Sequence, residues 1–464
     1  MSAGTRRQAE EGRAAAAALL QGDRRGAGLP SHAAPAAWTA FDQEVRRIHS
    51  STHGEPFGSG AAAVRLCHPD GRIRAAALNT PRPPLALVAI RCTDWVPAVR
   101  ERARQVLGEA LAADPARTVV RLTPLVLHLS GREQGGWARE RFEAALRADE
   151  PVLAWLRRCD DVPTRRFAVG ITLDAGRFGV QELARRAANE PDPVTARLWT
   201  QAALRALATD GPDDAAVDTL LGARGTWVRA AGVTALRGAD RAAEAVDYLA
   251  DRSGTVRACA RWLTRQDGSD PHPHCLGLVA DPARVGPYAV AGLAEHGSRA
   301  DVPLLRTLLD HPRDAVRAAA LAGIRQLDAS LEDELLLALL EDPSPSVARE
   351  ASLGLRPVAG RLDPARLGTL IAAERPAHVR RAAFRLLRAR GGIDELRASV
   401  ALLVDADPAL RQLAEAGVRG WNWQLTRFEG QSTTEELDVL LKQSAYLFTD
   451  YEEALRRSRL GLRS

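Results

Sequence analysis

Asp310–Leu327 reads DHPRDAVRAAALAGIRQL, and its reading decides the fold. Asp310, Pro312 and Asp314 predict a tight turn, because proline presets φ and aspartate caps the unpaired amides of a following helix. Val316, Ala320, Leu321, Ile324 and Leu327 then recur at helical spacing on one face. Ahead of the turn, Val302–Asp310 (VPLLRTLLD) reads as a second apolar helix. Two such helices and a turn, in roughly 31 residues, cannot bury their own apolar faces and need a copy of themselves on each side.

The copies are present. Each unit is anchored on the arginine of a Val-Arg or equivalent step: Arg74, Arg100, Arg139, Arg165, Arg197, Arg229, Arg257, Arg317, Arg349, Arg380 and Arg411, with Tyr288 in the anchor place of a degenerate unit. The step is close to 31 residues from Arg165 onward and uneven before it. Several anchors follow an acidic turn, as at Asp192-Pro193, Asp342-Pro343 and Asp407-Pro408. A turn aspartate and a helix arginine predict a bidentate pair repeated along a stack.

The turn of D-P-D type followed by V-R-x-A-A resembles the HEAT-like repeats first described in phycobilisome lyases, over roughly residues 61–420. The resemblance implies an all-α, right-handed α-solenoid of about twelve helix pairs with the turn Asp and helix Arg in structural roles. It is specific for a repeat class and unspecific for function. Residues 1–35 read as a disordered or loosely helical segment, with a helix possible over Arg6–Leu20 and a linker over Gly22–Pro35. Residues 36–423 read as the solenoid, with a polar loop at His49–Gly60. Residues 424–464 read as a helical C-terminal cap or tail, with helices over Thr433–Lys442 and Ser444–Arg457.

Composition narrows the class. The chain is 46% hydrophobic but only 5% aromatic, dominated by Ala and Leu, which is helical rather than strand content. The net charge of +5 does not by itself call for nucleic acid. Lys442 is the single lysine, so positive charge is carried by arginine. Cys67, Cys92, Cys159, Cys259 and Cys275 form no CxxC pair, which predicts free thiols in a reducing cytoplasm. No signal peptide and no run of eighteen apolar residues is read from the sequence, so no membrane association is expected.

Eight residues beyond most anchors stands another arginine: Arg82, Arg147, Arg205, Arg237, Arg265, Arg325, Arg388 and Arg419, with His296 in the Tyr288 unit. Eight residues is just over two turns, so these side chains are expected at the C-terminal ends of the second helices. There they either cap the helix dipole, with Asp149, Asp210, Asp240, Asp267 or Asp328 nearby, or form an anion-binding stripe. The candidate binding residues are therefore Arg205, Arg237, Arg265, Arg325, Arg385, Arg388 and Arg419, with Trp199 and Trp227. The structural anchors are Arg229, Arg257, Arg317, Arg349, Arg380 and Arg411.

His272, His274 and Cys275 are the one dense set of metal-ligand types, and are read as a polar loop between repeats. No histidine is followed by glutamate, against the His-Glu pairs that hold iron in HEAT-type deoxyhypusine hydroxylases. No phosphate-loop, nucleophile-elbow, zinc-protease or dinucleotide fingerprint occurs. No catalytic residue, metal or cofactor is assigned. The expected function is a non-enzymatic scaffold that holds a protein or peptide partner, one with an acidic segment for example, along a concave surface. The alternative is DNA binding through an arginine-rich concave stripe, as in HEAT-like DNA glycosylases. A bilin-lyase activity rests on the family resemblance alone.

Overall fold

A computed structural model of the chain describes residues 3–21, 29–30, 33–51, 62–327, 331–423 and 434–462. Every regular element among the described residues is an α- or 3₁₀-helix. The chain divides into two units, Met1–Ala239 and Asp240–Ser464. Each is a stack of helix pairs, an α-solenoid.

Aspartate, most often followed by proline, starts many of the helices. Asp70, Asp114, Asp149, Asp161, Asp192, Asp213, Asp270, Asp363 and Asp407 each accept a hydrogen bond from a backbone amide of the helix that follows. Proline follows most of them at the first or second helical position, where a missing N–H costs nothing. The Asp314–Gln326 helix departs from this rule. Its cap position is Arg313, and the Arg313 amide donates to Nδ1 of His311 at 3.0 Å. Nε2 of the same ring donates to the Pro282 carbonyl at 2.8 Å.

His311 holds a position that recurs. Six residues before the anchor, the side chain accepts the amide two residues on: Asp94 from Val96, Asp251 from Ser253, Asp342 from Ser344, Asp405 from Asp407 and His68 from Asp70. The carbonyl of that residue then accepts the anchor guanidinium. Arg74 reaches His68, Arg100 reaches Asp94, Arg257 reaches Asp251, Arg317 reaches His311 and Arg411 reaches Asp405. At Asp94, Asp342 and Asp405 the carboxylate also takes the anchor of the preceding pair. Arg74 binds Asp94 in two-pronged fashion at 2.8 and 2.9 Å, Arg317 binds Asp342 at 2.8 and 3.1 Å, and Arg380 meets Asp405 at 3.1 Å. One side chain thus closes its own turn and ties two successive pairs together. Bidentate, charge-assisted bonds of this kind fix register as well as adding energy.

Two anchors read from the sequence fall out of this register. In PSVAREASL the buried position that precedes the anchor is Val347, so the anchor slot is Ala348, fully buried, and Arg349 lies one residue further on. Arg349 is exposed and pairs with its neighbour Glu350. In the same way Thr195 and Ala196 fill the core positions of the Pro193–Asp210 helix and Arg197 lies outside. Where a second arginine follows a true anchor, as Arg166 and Arg381 do, it takes the next N-cap aspartate, Asp192 or Asp407.

In the first unit, Ala3–Leu20 is a helix packed on Pro35–Ser51. A Cβ at Gly12 would stand 2.1 Å from the Ala37 carbonyl oxygen, so glycine is what lets the two backbones meet. The expected linker lies outside the described residues, apart from Leu29, Pro30, Ala33, Ala34 and Pro35, which begins the second helix. Of the expected loop at His49–Gly60, the first three residues belong to that helix and the rest lie outside the described residues. Trp38, Phe41, Val45, Leu87 and Val99 stand in the core of this end. In the second unit, Trp421 donates to the Gly392 carbonyl at 2.7 Å and packs edge-on against Trp423. Phe448 lies edge-on to Trp423 and beneath the Arg456 guanidinium. The helices that follow are Thr434–Gln443 and Asp450–Arg459, the first tied to the stack by Arg397 and Glu436.

Candidate partner-binding surfaces

The second set of arginines is placed unevenly. Arg147, Arg265, Arg325, Arg388 and Arg419 stand in the last turns of their helices, where the dipole favours a cation. Arg205 does not, because the Pro193–Asp210 helix runs five residues past it, and its Nε donates to the Gln201 carbonyl. Arg237 is exposed just beyond the Thr226–Ala235 helix. Arg82 lies in a turn with φ of 52°.

Most of those in last turns are already paired. Arg325 binds Glu350 at 3.0 Å, Arg388 meets Glu395 at 3.4 Å, Arg419 meets Glu415 at 4.0 Å and Arg147 binds Glu143 at 2.6 Å. The partners are glutamates on the same or a neighbouring helix, and Arg147 also meets Asp174 at 3.3 Å. Of the aspartates expected for this purpose, Asp149 is the N-cap of the next helix and Asp328 lies outside the described residues. Arg385 is half-buried and donates to the Ser352 hydroxyl, and burial, then the nearby Arg349, lowers its pKa. Arg265 is exposed and has no bonded partner among the described residues. The set is therefore not an open row of cations.

The two candidate tryptophans part company. Trp199 is 2% exposed, held edge-on to Phe178 and beneath Arg186, so it is core and not binding surface. The hydrophobic positions of its helix, Ala196, Trp199 and Ala203, all turn inward. Trp227 is 58% exposed, at the start of the Thr226–Ala235 helix, with the Arg197 guanidinium 5.0 Å from its ring centre. It heads a groove of about 870 Å³ between two successive turns, Asn189–Pro193 and Gly222–Trp227. Ala187, Ala188, Ala196, Gly222 and Ala223 line it, small side chains that let another backbone come close. Trp95, 64% exposed, has a structural explanation: the Arg46 and Arg74 guanidinium groups stack on it at 4.6 and 4.5 Å, beside the Arg74–Asp94 pair.

The His272–Cys275 segment is not a loop. Asp270 caps it and Pro271 opens it, and Pro271–Val279 is a helix with Cys275 buried. His272 Nε2 bonds Asp301 at 3.0 Å. Among the described residues, no group of three or more His, Cys, Asp or Glu is placed to hold a metal ion. Burial pushes the Cys92 thiol up to about 12 and the Cys275 thiol up to about 11, so both stay protonated and unreactive near neutral pH.

Repeated pairs of helices, several of them tied to the next by one side chain at one recurring position, decide the class. Each unit is an α-solenoid built of helix pairs. No family model matches it, and no curated protein matches it. Fifty chains of solved structures match. One comes from work described as "Structural Basis of Tubulin Recruitment and Assembly by Microtubule Polymerases with Tumor Overexpressed Gene (TOG) Domain Arrays". The similarity covers 82% of this solenoid and 97% of that chain, at 10% identity and a TM-score of 0.18. At that level it carries no argument about partner or activity. No helix among the described residues is long and apolar enough to cross a membrane.

Proposed function

We propose that this solenoid is a non-enzymatic scaffold that binds a protein or peptide partner, with one contact site at the turns that flank Trp227. The observation that carries the reading is the Trp227 groove. An exposed tryptophan under a guanidinium, above a floor of alanine and glycine, has the composition of a binding hot spot. In a chain this poor in aromatics, it is a costly residue to leave in water. The groove has room for a few side chains of an extended segment, and Pro191 and Pro193 stiffen one wall. The free cysteines support a reducing, cytoplasmic setting. The V-R-x-A-A pattern supports a repeat of the phycobilisome-lyase type, and no residue of the chain supports a lyase reaction.

DNA binding is the weaker reading, because Arg325, Arg388 and Arg419 have carboxylate partners that phosphates would have to displace. The test is selection of a displayed peptide library on the whole chain. Selected peptides should lose about 2 kcal/mol or more against Trp227→Ala, with melting unchanged. Absence of any selected peptide, together with binding of a random DNA duplex that weakens steeply with salt, would replace this reading with the nucleic-acid one.

A further inference from the structure

A second groove, of about 730 Å³, opens at the other end of the first unit. Trp38, Leu85, Ala86, Val106 and Leu122 form its apolar floor. Its rim carries five charged residues: Arg82, Arg117, Arg121, Glu109 and Asp114. The two acids are already committed. Glu109 stands 3.7 Å from Arg102, and Asp114 caps the Pro115–Leu129 helix by accepting the Arg117 amide. The three guanidinium groups are exposed and have no bonded partner among the described residues. This contrasts with the arginines at the helix ends, most of which are paired. Arg82 is also held in the left-handed region, at φ of 52°, between Pro81 and the Pro83-Pro84 step. A non-glycine residue there carries backbone strain, which clusters at ligand-binding positions.

An apolar floor under three uncommitted cations calls for a ligand that is apolar on one side and carries several negative charges. Arg117 and Arg121 are one helical turn apart, about 6 Å along the axis. Two carboxylates at i and i+4 of a facing helix have the same spacing. A lone fatty-acid carboxylate would engage one or two of the three arginines and leave the rest unanswered. We infer that this groove docks an acidic amphipathic helix of a partner protein. Its apolar face would lie on Trp38, Leu85 and Leu122, and its glutamates or aspartates on Arg117 and Arg121, with Arg82 closing the far rim. The inference rests on the scaffold reading and adds a site and a partner chemistry to it.

The probe is a synthetic peptide of about four helical turns, leucine on one face and glutamate at i,i+4 on its border, against the same peptide with lysine for glutamate. Affinity for the full chain is read by fluorescence anisotropy at low salt. The glutamate peptide should bind at least about tenfold more tightly. The Arg117→Gln/Arg121→Gln chain should lose that margin without a change in melting. Arg117→Glu/Arg121→Glu should invert the preference and take the lysine peptide, which a merely structural role would not produce. Trp227→Ala should have no effect here. Equal affinity for both peptides, or an unaffected Gln variant, overturns the inference. So does a groove that takes laurate with the same arginine dependence but no peptide. If the glutamate peptide fails while library-selected peptides still bind through Trp227, this site falls and the scaffold reading stands. If both fail, both fall.

Discussion

One motif makes two different latches. In the first unit Arg74 and Asp94 are sealed from water, and a second pair, Arg91 and Asp42, joins them through Arg91 to Asp94 at 3.2 Å and Arg91 to Asp42 at 2.5 Å. In the second unit Arg317 and Asp342 bond at the same distance, 2.8 Å, but the arginine side chain keeps 16% of its surface in solvent. Equal geometry does not mean equal energy. A guanidinium in water loses little when its partner goes, because water replaces it, whereas a sealed one is left with its full desolvation cost.

The largest expected effect is therefore at Asp94. Asp94→Ala should cost about 3–5 kcal/mol in urea unfolding, since it leaves the buried Arg74 without a carboxylate and takes one of two from Arg91. Asp342→Ala should cost less, about 1–2 kcal/mol. Equal costs would break the comparison and make burial irrelevant to the latch. A third test uses acid. Arg166 beside Asp192, aided by the Thr195 hydroxyl and amide, holds the Asp192 carboxyl well below the usual range. A depressed carboxylate gives stability that is present above its unfolded value, near pH 4, and lost as pH falls below it. Asp192→Asn should flatten the fall in melting temperature below about pH 4 and leave little pH dependence to remove above pH 5. A steeper fall in the variant would reverse the sign. The smallest effect is at Arg349, outside the register: Arg349→Ala should change stability by less than about 0.5 kcal/mol. A loss comparable with Asp342→Ala would restore it as an anchor.

Much of the fold was legible because helix periodicity and turn chemistry are local. Val316, Ala320 and Ile324 stand in the core where their spacing puts them. The register of Arg197 and Arg349 was misread because arginine is the more conspicuous letter, while the residues that set the phase are the buried Thr195 and Val347 before it. The pairing of the helix-end arginines was not legible, since Glu350 lies 25 residues from Arg325 in sequence and is adjacent only after stacking. Trp199 and Trp227 look alike in the sequence; the first lands on an inward helical position and the second in a turn's wake. The Arg82, Arg117 and Arg121 groove draws on four separate segments, so no window of sequence contains it.

The latch also has a direction. At each latch the arginine comes from one pair and the carboxylate from the pair after it, as in Arg74–Asp94, Arg317–Asp342 and Arg380–Asp405. At the final anchor the latch stays open. There Arg411 keeps its two carbonyls, from Asp405 and Ala406, but meets no carboxylate among the described residues. Trp421 and Trp423 follow directly, so the sequence abandons its repeat at the point where there is no next copy to grip.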